Sequence, residues 1–121
     1  MSIRNAICYA IMALAPAALV AQSVPPPDKA LYDTGVSDIR NGRFERARLT
    51  LQTLINTYKA SGMLAPAKLA IADSWYREGG EHGFAQAEKE CKELVAQFPD
   101  TPSASDAQQL MRKIQDARAA K

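Results

Sequence analysis

The chain has 121 residues, 15 Lys and Arg against 13 Asp and Glu, a formal net charge of +2 and two cysteines. That length suits one small domain, and the near-neutral charge lacks the concentrated basic surface of a nucleic-acid binder. Two cysteines, one of them near the N-terminus, exclude a scaffold stapled by several disulfides.

The N-terminus begins Met1-Ser2-Ile3-Arg4-Asn5, continues through an apolar stretch from Ala6 to Ala21, and reaches Gln22-Ser23 before a run of prolines. A short basic start, an apolar middle and small residues before a polar break form the pattern of a secretory signal peptide, here residues 1–23. The stretch is shorter than the roughly 20 apolar residues of a bilayer span, and Pro16 interrupts it. Export and cleavage are therefore expected rather than a permanent membrane helix. Cys8 lies inside this segment, and Asn5-Ala6-Ile7 before it is not the Leu-small-small approach of a lipid-attachment cysteine. Cys91 is then the lone cysteine of the mature chain, expected as a small core residue. Val24-Pro25-Pro26-Pro27, residues 24–27, reads as a stiff extended linker.

Residues 28–121 contain no alternating β-branched runs and are rich in Ala, Leu, Lys, Glu, Gln and Arg, so the expected fold class is all-α. Five helices are predicted. Asp28 is placed to cap the first, about Lys29 to Asn41, which stops at Gly42. The second, about Phe44 to Lys59, sets Phe44, Ala47, Leu51, Leu54, Ile55 and Tyr58 on one face and breaks at Ser61-Gly62. A third, about Leu64 to Glu78, tolerates Pro66 in its first turn. Gly79-Gly80-Glu81-His82-Gly83 is expected as a loop. The fourth runs from about Phe84 to Phe98. The fifth starts with Thr101 as cap and Pro102 as first helical residue, and carries Ala107, Leu110, Met111 and Ile114.

One skeleton occurs twice. Phe44, Ala47, Leu51, Leu54, Ile55 and Tyr58 correspond to Phe84, Ala87, Cys91, Leu94, Val95 and Phe98, 40 residues further on. Each copy follows a helix that runs into glycine. A helical hairpin of this kind cannot bury its face alone, so stacking of hairpins is what the pattern implies. Leu110, Met111 and Ile114 would then cap the stack, with Gln108, Gln109, Arg112, Lys113 and Gln115 as a polar outer face.

The segment from Asp28 to Thr101 resembles a tetratricopeptide solenoid, although the 40-residue spacing exceeds the usual repeat of about 34. Leu31 and Gly35, then Ala47, Leu51 and Leu54, and in the second copy Ala72, Trp75, Ala87, Leu94 and Pro99 fall on the family's large and small positions. More narrowly, "FERARLTLQTLINTY", "AKLAIADSWYREGG" and "ECKELVAQFPDTP" are similar to the opening repeats of BamD-like (YfiO-type) outer-membrane lipoproteins, which help to assemble β-barrels. Lys59-Ala60-Ser61 stands where that family places a proline. The resemblance implies a TPR-like solenoid of two hairpins plus a C-terminal capping helix, located in the periplasm or at the periplasmic face of the outer membrane. Its implied partners are proteins or extended peptides, among them outer-membrane assembly components, with any membrane association indirect.

Carrying over the family's groove-facing positions gives Lys29, Tyr32, Val36, Ile39 and Arg40 from the first helix and Leu69, Asp73, Tyr76 and Arg77 from the third. Tyrosines supply amphipathic contact area and arginines fork to carboxylates, which suits an extended peptide. Arg40, Arg43, Arg46 and Arg48 form a basic ridge that reads as a solvated face. No catalytic set can be assembled: His82 is the sole histidine, has no ligand partner at metal spacing, and Cys91 falls on the core face. Asp73 with Glu78, and Glu88 with Glu90 and Glu93, read as surface charges, with Glu88 and Lys92 as an i,i+4 pair. No enzymatic activity, cofactor or metal is therefore expected. The alternative to a barrel-assembly component is an independent periplasmic scaffold that binds peptides or coordinates cell-wall proteins.

Overall fold

The computed structural model describes residues 26–120, so the predicted signal peptide and half of the predicted linker, Val24 and Pro25, lie outside the described residues. Five helices follow one another: α1 (Pro27–Arg40), α2 (Phe44–Thr57), α3 (Leu64–Glu78), α4 (Gly80–Gln97) and α5 (Pro102–Ala119). Among the described residues there is no strand, so the class is all-α.

Short connections force sequential helices to run antiparallel, and bonds between helices fix that arrangement. Arg48, early in α2, reaches Glu78 at the end of α3 at 2.8 Å. Lys68, early in α3, meets Glu90 and Glu93 late in α4 at 3.2 and 2.7 Å. Arg118, at the end of α5, meets Glu81 and Glu88 in the first half of α4 at 2.8 and 3.1 Å. It follows that α1, α3 and α5 point the same way and form one layer. Helices α2 and α4 form the second layer and pack against α3 from the other side.

The duplicated skeleton reappears in the burial pattern. Ala47 and Ala87, Leu51 and Cys91, and Leu54 and Leu94 are all wholly inaccessible. Tyr58 and Phe98 both end their helices, each donating its backbone N–H to the carbonyl of the buried leucine four residues earlier. Each copy builds its own core. The first gathers Ile39, Leu51, Leu54, Ala67 and Ile71, and the second gathers Ala72, Cys91, Leu94, Leu110 and Ile114. Burying each large aliphatic side chain contributes about 1.5–3 kcal/mol. Trp75 packs against both cores and joins them.

Several local expectations are met. Thr101 caps α5, its hydroxyl accepting from the Ala104 N–H at 3.2 Å, and Pro102 opens the helix. Ile114 is completely buried and Leu110 nearly so. Gln108, Gln109, Arg112, Lys113 and Gln115 are exposed, so α5 keeps a polar face toward solvent.

Others are corrected. Helix α1 begins at Pro27, and Asp28 lies inside its first turn rather than capping it. The Asp28 carboxylate instead accepts from the Ser61 hydroxyl at 2.5 Å and from the Lys29 N–H at 2.9 Å, which hold it below the usual carboxylate range. Helix α2 stops at Thr57, before Lys59. The predicted loop over residues 79–83 shrinks to Gly79 alone, whose φ of +81° is accessible to glycine at little steric cost. Residues 80–83 are already helical. Gly83 is needed there for its missing side chain: a Cβ would stand 2.5 Å from the Trp75 carbonyl oxygen. The glycine that suggests a loop is a contact point between α3 and α4.

Candidate functional site

The parallel helices α1, α3 and α5 enclose a groove of about 400 Å³. Tyr32, Val36, Ile39 and Arg40 of α1 line it, as do Leu69, Asp73 and Arg77 of α3. These are seven of the nine residues expected there. Leu69, Asp73 and Arg77 recur every four residues and therefore share one stripe of α3.

Two expected residues lie elsewhere. Tyr76 lies about 60° around the helix from Asp73 at 100° per residue, on the side of α4, where its ring meets Phe84 at a centroid distance of 5.8 Å. Lys29 turns outward and pairs with Asp33 at 3.3 Å. The third wall, formed by Asp106, Gln109, Leu110 and Lys113 of α5, is not anticipated by the sequence pattern. Its one local signal is the polar outer face of the last helix, which by itself implies only a cap.

The groove is electrostatically polarised. Arg40 and Arg77 sit at the C-terminal ends of α1 and α3, and Lys113 lies in the second half of α5. Because these helices run in parallel, the three cations gather toward one end. Arg77 is engaged by Asp73 at 2.7 Å. Arg40 and Lys113 have no ion pair or hydrogen bond among the described residues, so their charges are available to a ligand. Asp106, in the first half of α5, places a carboxylate toward the opposite end.

The remaining arginines of the expected basic ridge are committed to the fold. Arg43 grips the buried Asp38 carboxylate at 2.9 Å and Arg46 approaches it at 3.7 Å, fastening the α1–α2 turn. Arg48 lies 3.6 Å over the Trp75 ring and donates to the Ser74 hydroxyl at 3.2 Å. Ser74 in turn donates to the Ile71 carbonyl at 2.6 Å, so this buried hydroxyl is satisfied in both directions.

Residues considered for chemistry have structural surroundings. Cys91 is buried, and burial together with the carboxylates of Glu90, Glu88 and Asp73 pushes its thiol up to about 12. It is held in the protonated form, without the thiolate that nucleophilic attack requires. His82 lies in α4 and sets its ring edge-on to Trp75 at 5.5 Å. Glu88 pairs with Lys92 at 3.5 Å, as the spacing predicts, and Arg118 joins them. Among the described residues no group of three or more His, Cys, Asp and Glu is arranged to hold a metal ion. No described helix is long and apolar enough to cross a membrane.

Compared with protein-family models and with curated proteins, the chain finds no match in either.

Proposed function

We propose that this protein is a non-enzymatic interaction module that holds an extended segment of a partner protein in the groove between α1, α3 and α5. The observation that carries the reading is the pairing of a part-exposed apolar floor, formed by Tyr32, Val36 and Leu69, with the uncommitted cations Arg40 and Lys113 at one end. An extended peptide lays alternate side chains on such a floor, and acidic residues on it meet the cations as charge-assisted hydrogen bonds. The polarity of the groove gives the ligand a direction, with its acidic end toward Arg40.

The likeness of both repeats to BamD-like lipoproteins supports the finer reading. On it the module is exported and tetratricopeptide-like, and it acts with components of outer-membrane β-barrel assembly at the periplasmic face of that membrane.

The test places a photo-crosslinking residue at Tyr32 of a tagged copy, followed by envelope fractionation and mass spectrometry. Adducts that disappear in an Arg40→Glu, Lys113→Glu double variant are expected. If they contain barrel-assembly proteins in the outer-membrane fraction, the finer reading stands. Other partners in the soluble periplasm leave the groove and remove the barrel role. Partners captured from a crosslinker on α2 or α4 but never from Tyr32 would overturn the groove reading.

A further inference from the structure

On the opposite side of α3 from the groove, α2 and α4 stand apart and leave an open cleft of about 570 Å³ floored by Ile71 and Trp75. Three stripes at helical spacing converge on it: Glu45, Arg48, Leu49 and Gln52 from α2, Ile71, Trp75 and Glu78 from α3, and His82, Gln86 and Glu90 from α4. Leu49 stands on its rim with 67% of its surface exposed, the one large apolar side chain so exposed among the described residues.

The duplicated sequence provides an internal control for this leucine. The residue at the same register in the second copy is Lys89, also exposed on its helix. The repeat therefore does not require an apolar side chain there, and Leu49 contributes little to the core.

The charges of the cleft are arranged unequally. Its one cation, Arg48, is withdrawn, with its side chain 15% exposed against Trp75 and its guanidinium engaged by Ser74 and Glu78. The carboxylates face outward: Glu45 is exposed and without a partner among the described residues, and Glu78 keeps 42% of its side-chain surface. Glu90, on the far side of Leu49, is withdrawn as Arg48 is, its side chain 19% exposed and bonded to Lys68 at 3.2 Å. Because α2 and α4 both run antiparallel to α3, Glu45 and Glu78 share one end of the cleft and Glu90 takes the other. An approaching partner meets acid at one end, from Glu45 and Glu78, and then Leu49 and Trp75.

We infer that this cleft is a second interaction surface, for a partner-protein helix carrying an aliphatic residue with Lys or Arg one turn away, toward Glu45 and Glu78. Spacing supports a helix as the occupant. Glu45 and Leu49 stand about 6 Å apart along α2 at 1.5 Å per residue, the same rise that separates a leucine from a basic residue one turn away on a partner helix. A second copy of this chain is disfavoured, because two such clefts face to face would oppose carboxylates to carboxylates.

Trp75 is the sole tryptophan of the chain and lines this cleft, so its fluorescence reports occupancy without a label. The probe is an alanine- and glutamine-rich helical peptide of about 20 residues, carrying Lys, Leu and Lys at four-residue intervals. Saturable binding that weakens with added salt is expected, as screening demands for exposed charges. Leu49→Lys should weaken it about tenfold or more, as loss of a central apolar anchor does, with the helical circular dichroism unchanged. Lys89→Ala and the groove variant Arg40→Glu should leave it intact.

Three results would overturn the inference: no binding of the probe, equal binding of a peptide whose lysines are replaced by glutamine, or equal binding by the Leu49→Lys variant. Concentration-dependent dimerisation of the wild-type protein that Leu49→Lys abolishes would also overturn it, by assigning the face to a second copy.

Discussion

Replacing Gly83 by alanine separates two physical effects of opposite sign. Gly83 is a helical residue of α4, so alanine alone would stabilise the helix by about 0.8–1.0 kcal/mol through backbone entropy and propensity. The new Cβ would stand 2.5 Å from the Trp75 carbonyl oxygen, about 1 Å inside the 3.3–3.6 Å at which carbon and carbonyl oxygen meet comfortably. That oxygen belongs to backbone and also accepts the Gly79 N–H at 3.1 Å, so no side-chain rotation relieves the clash. Helices α3 and α4 must move apart, loosening the seam in which Ala72, Ala87, Cys91 and Leu94 are packed. Overpacking of this kind costs about 1–3 kcal/mol, which offsets or exceeds the gain in helix propensity, and a net loss of up to about 2 kcal/mol is expected. For a domain of this size each kcal/mol shifts Tm by roughly 4–8 °C. Urea and thermal unfolding followed by circular dichroism measure it. Ala85→Gly, at a less buried position of the same helix, serves as the control and should cost about 1 kcal/mol from propensity alone. A Gly83→Ala protein more stable than wild type would refute the close approach.

Two further predictions concern α5 and the ion pairs. Ile114→Asp puts a carboxylate into a wholly buried position of α5 and should lower unfolding stability by about 3–5 kcal/mol. Unchanged stability in a denaturant titration would show that α5 is not part of the core. Lys68 has opposing influences, since burial lowers its pKa while hydrogen bonds and attraction from Glu93 and Glu90 prevail and raise it. Its hydrogen bond in turn holds Glu93 below the usual range. A depressed glutamate contributes stability that is present above its unfolded pKa and is lost as pH falls through the lower folded value. Lys68→Met should therefore be less stable than wild type at pH 7, with a narrower gap at pH 3, below the ordinary glutamate pKa of about 4.3. A gap of constant size at both pH values would mean that packing of the lysine stem, and not charge, sets the effect.

The helices and the duplicated skeleton are legible in the sequence because both rest on local spacing. Apolar residues at three- and four-residue steps, prolines in first turns and Thr101 before Pro102 each act within a few residues of themselves. The burial match between Leu51 and Cys91, chemically unlike residues, shows that register carries the repeat more faithfully than residue type. The errors occur where a distant neighbour decides. Gly83 resembles a loop glycine unless the Trp75 carbonyl beside it is known. Tyr76 and Asp73 are close in sequence, yet Phe84 of the next helix draws the tyrosine ring out of the groove. The α5 wall is not legible because it forms only once α5 has docked beside α3.

The order in which helices meet also bears on how quickly the protein folds. Every packed pair is either consecutive in the chain or separated by a single helix. Bringing each pair together therefore closes only a short stretch of polypeptide, and the entropy of loop closure grows with its length. Such low contact order places the domain among rapid folders, in the microsecond-to-millisecond range.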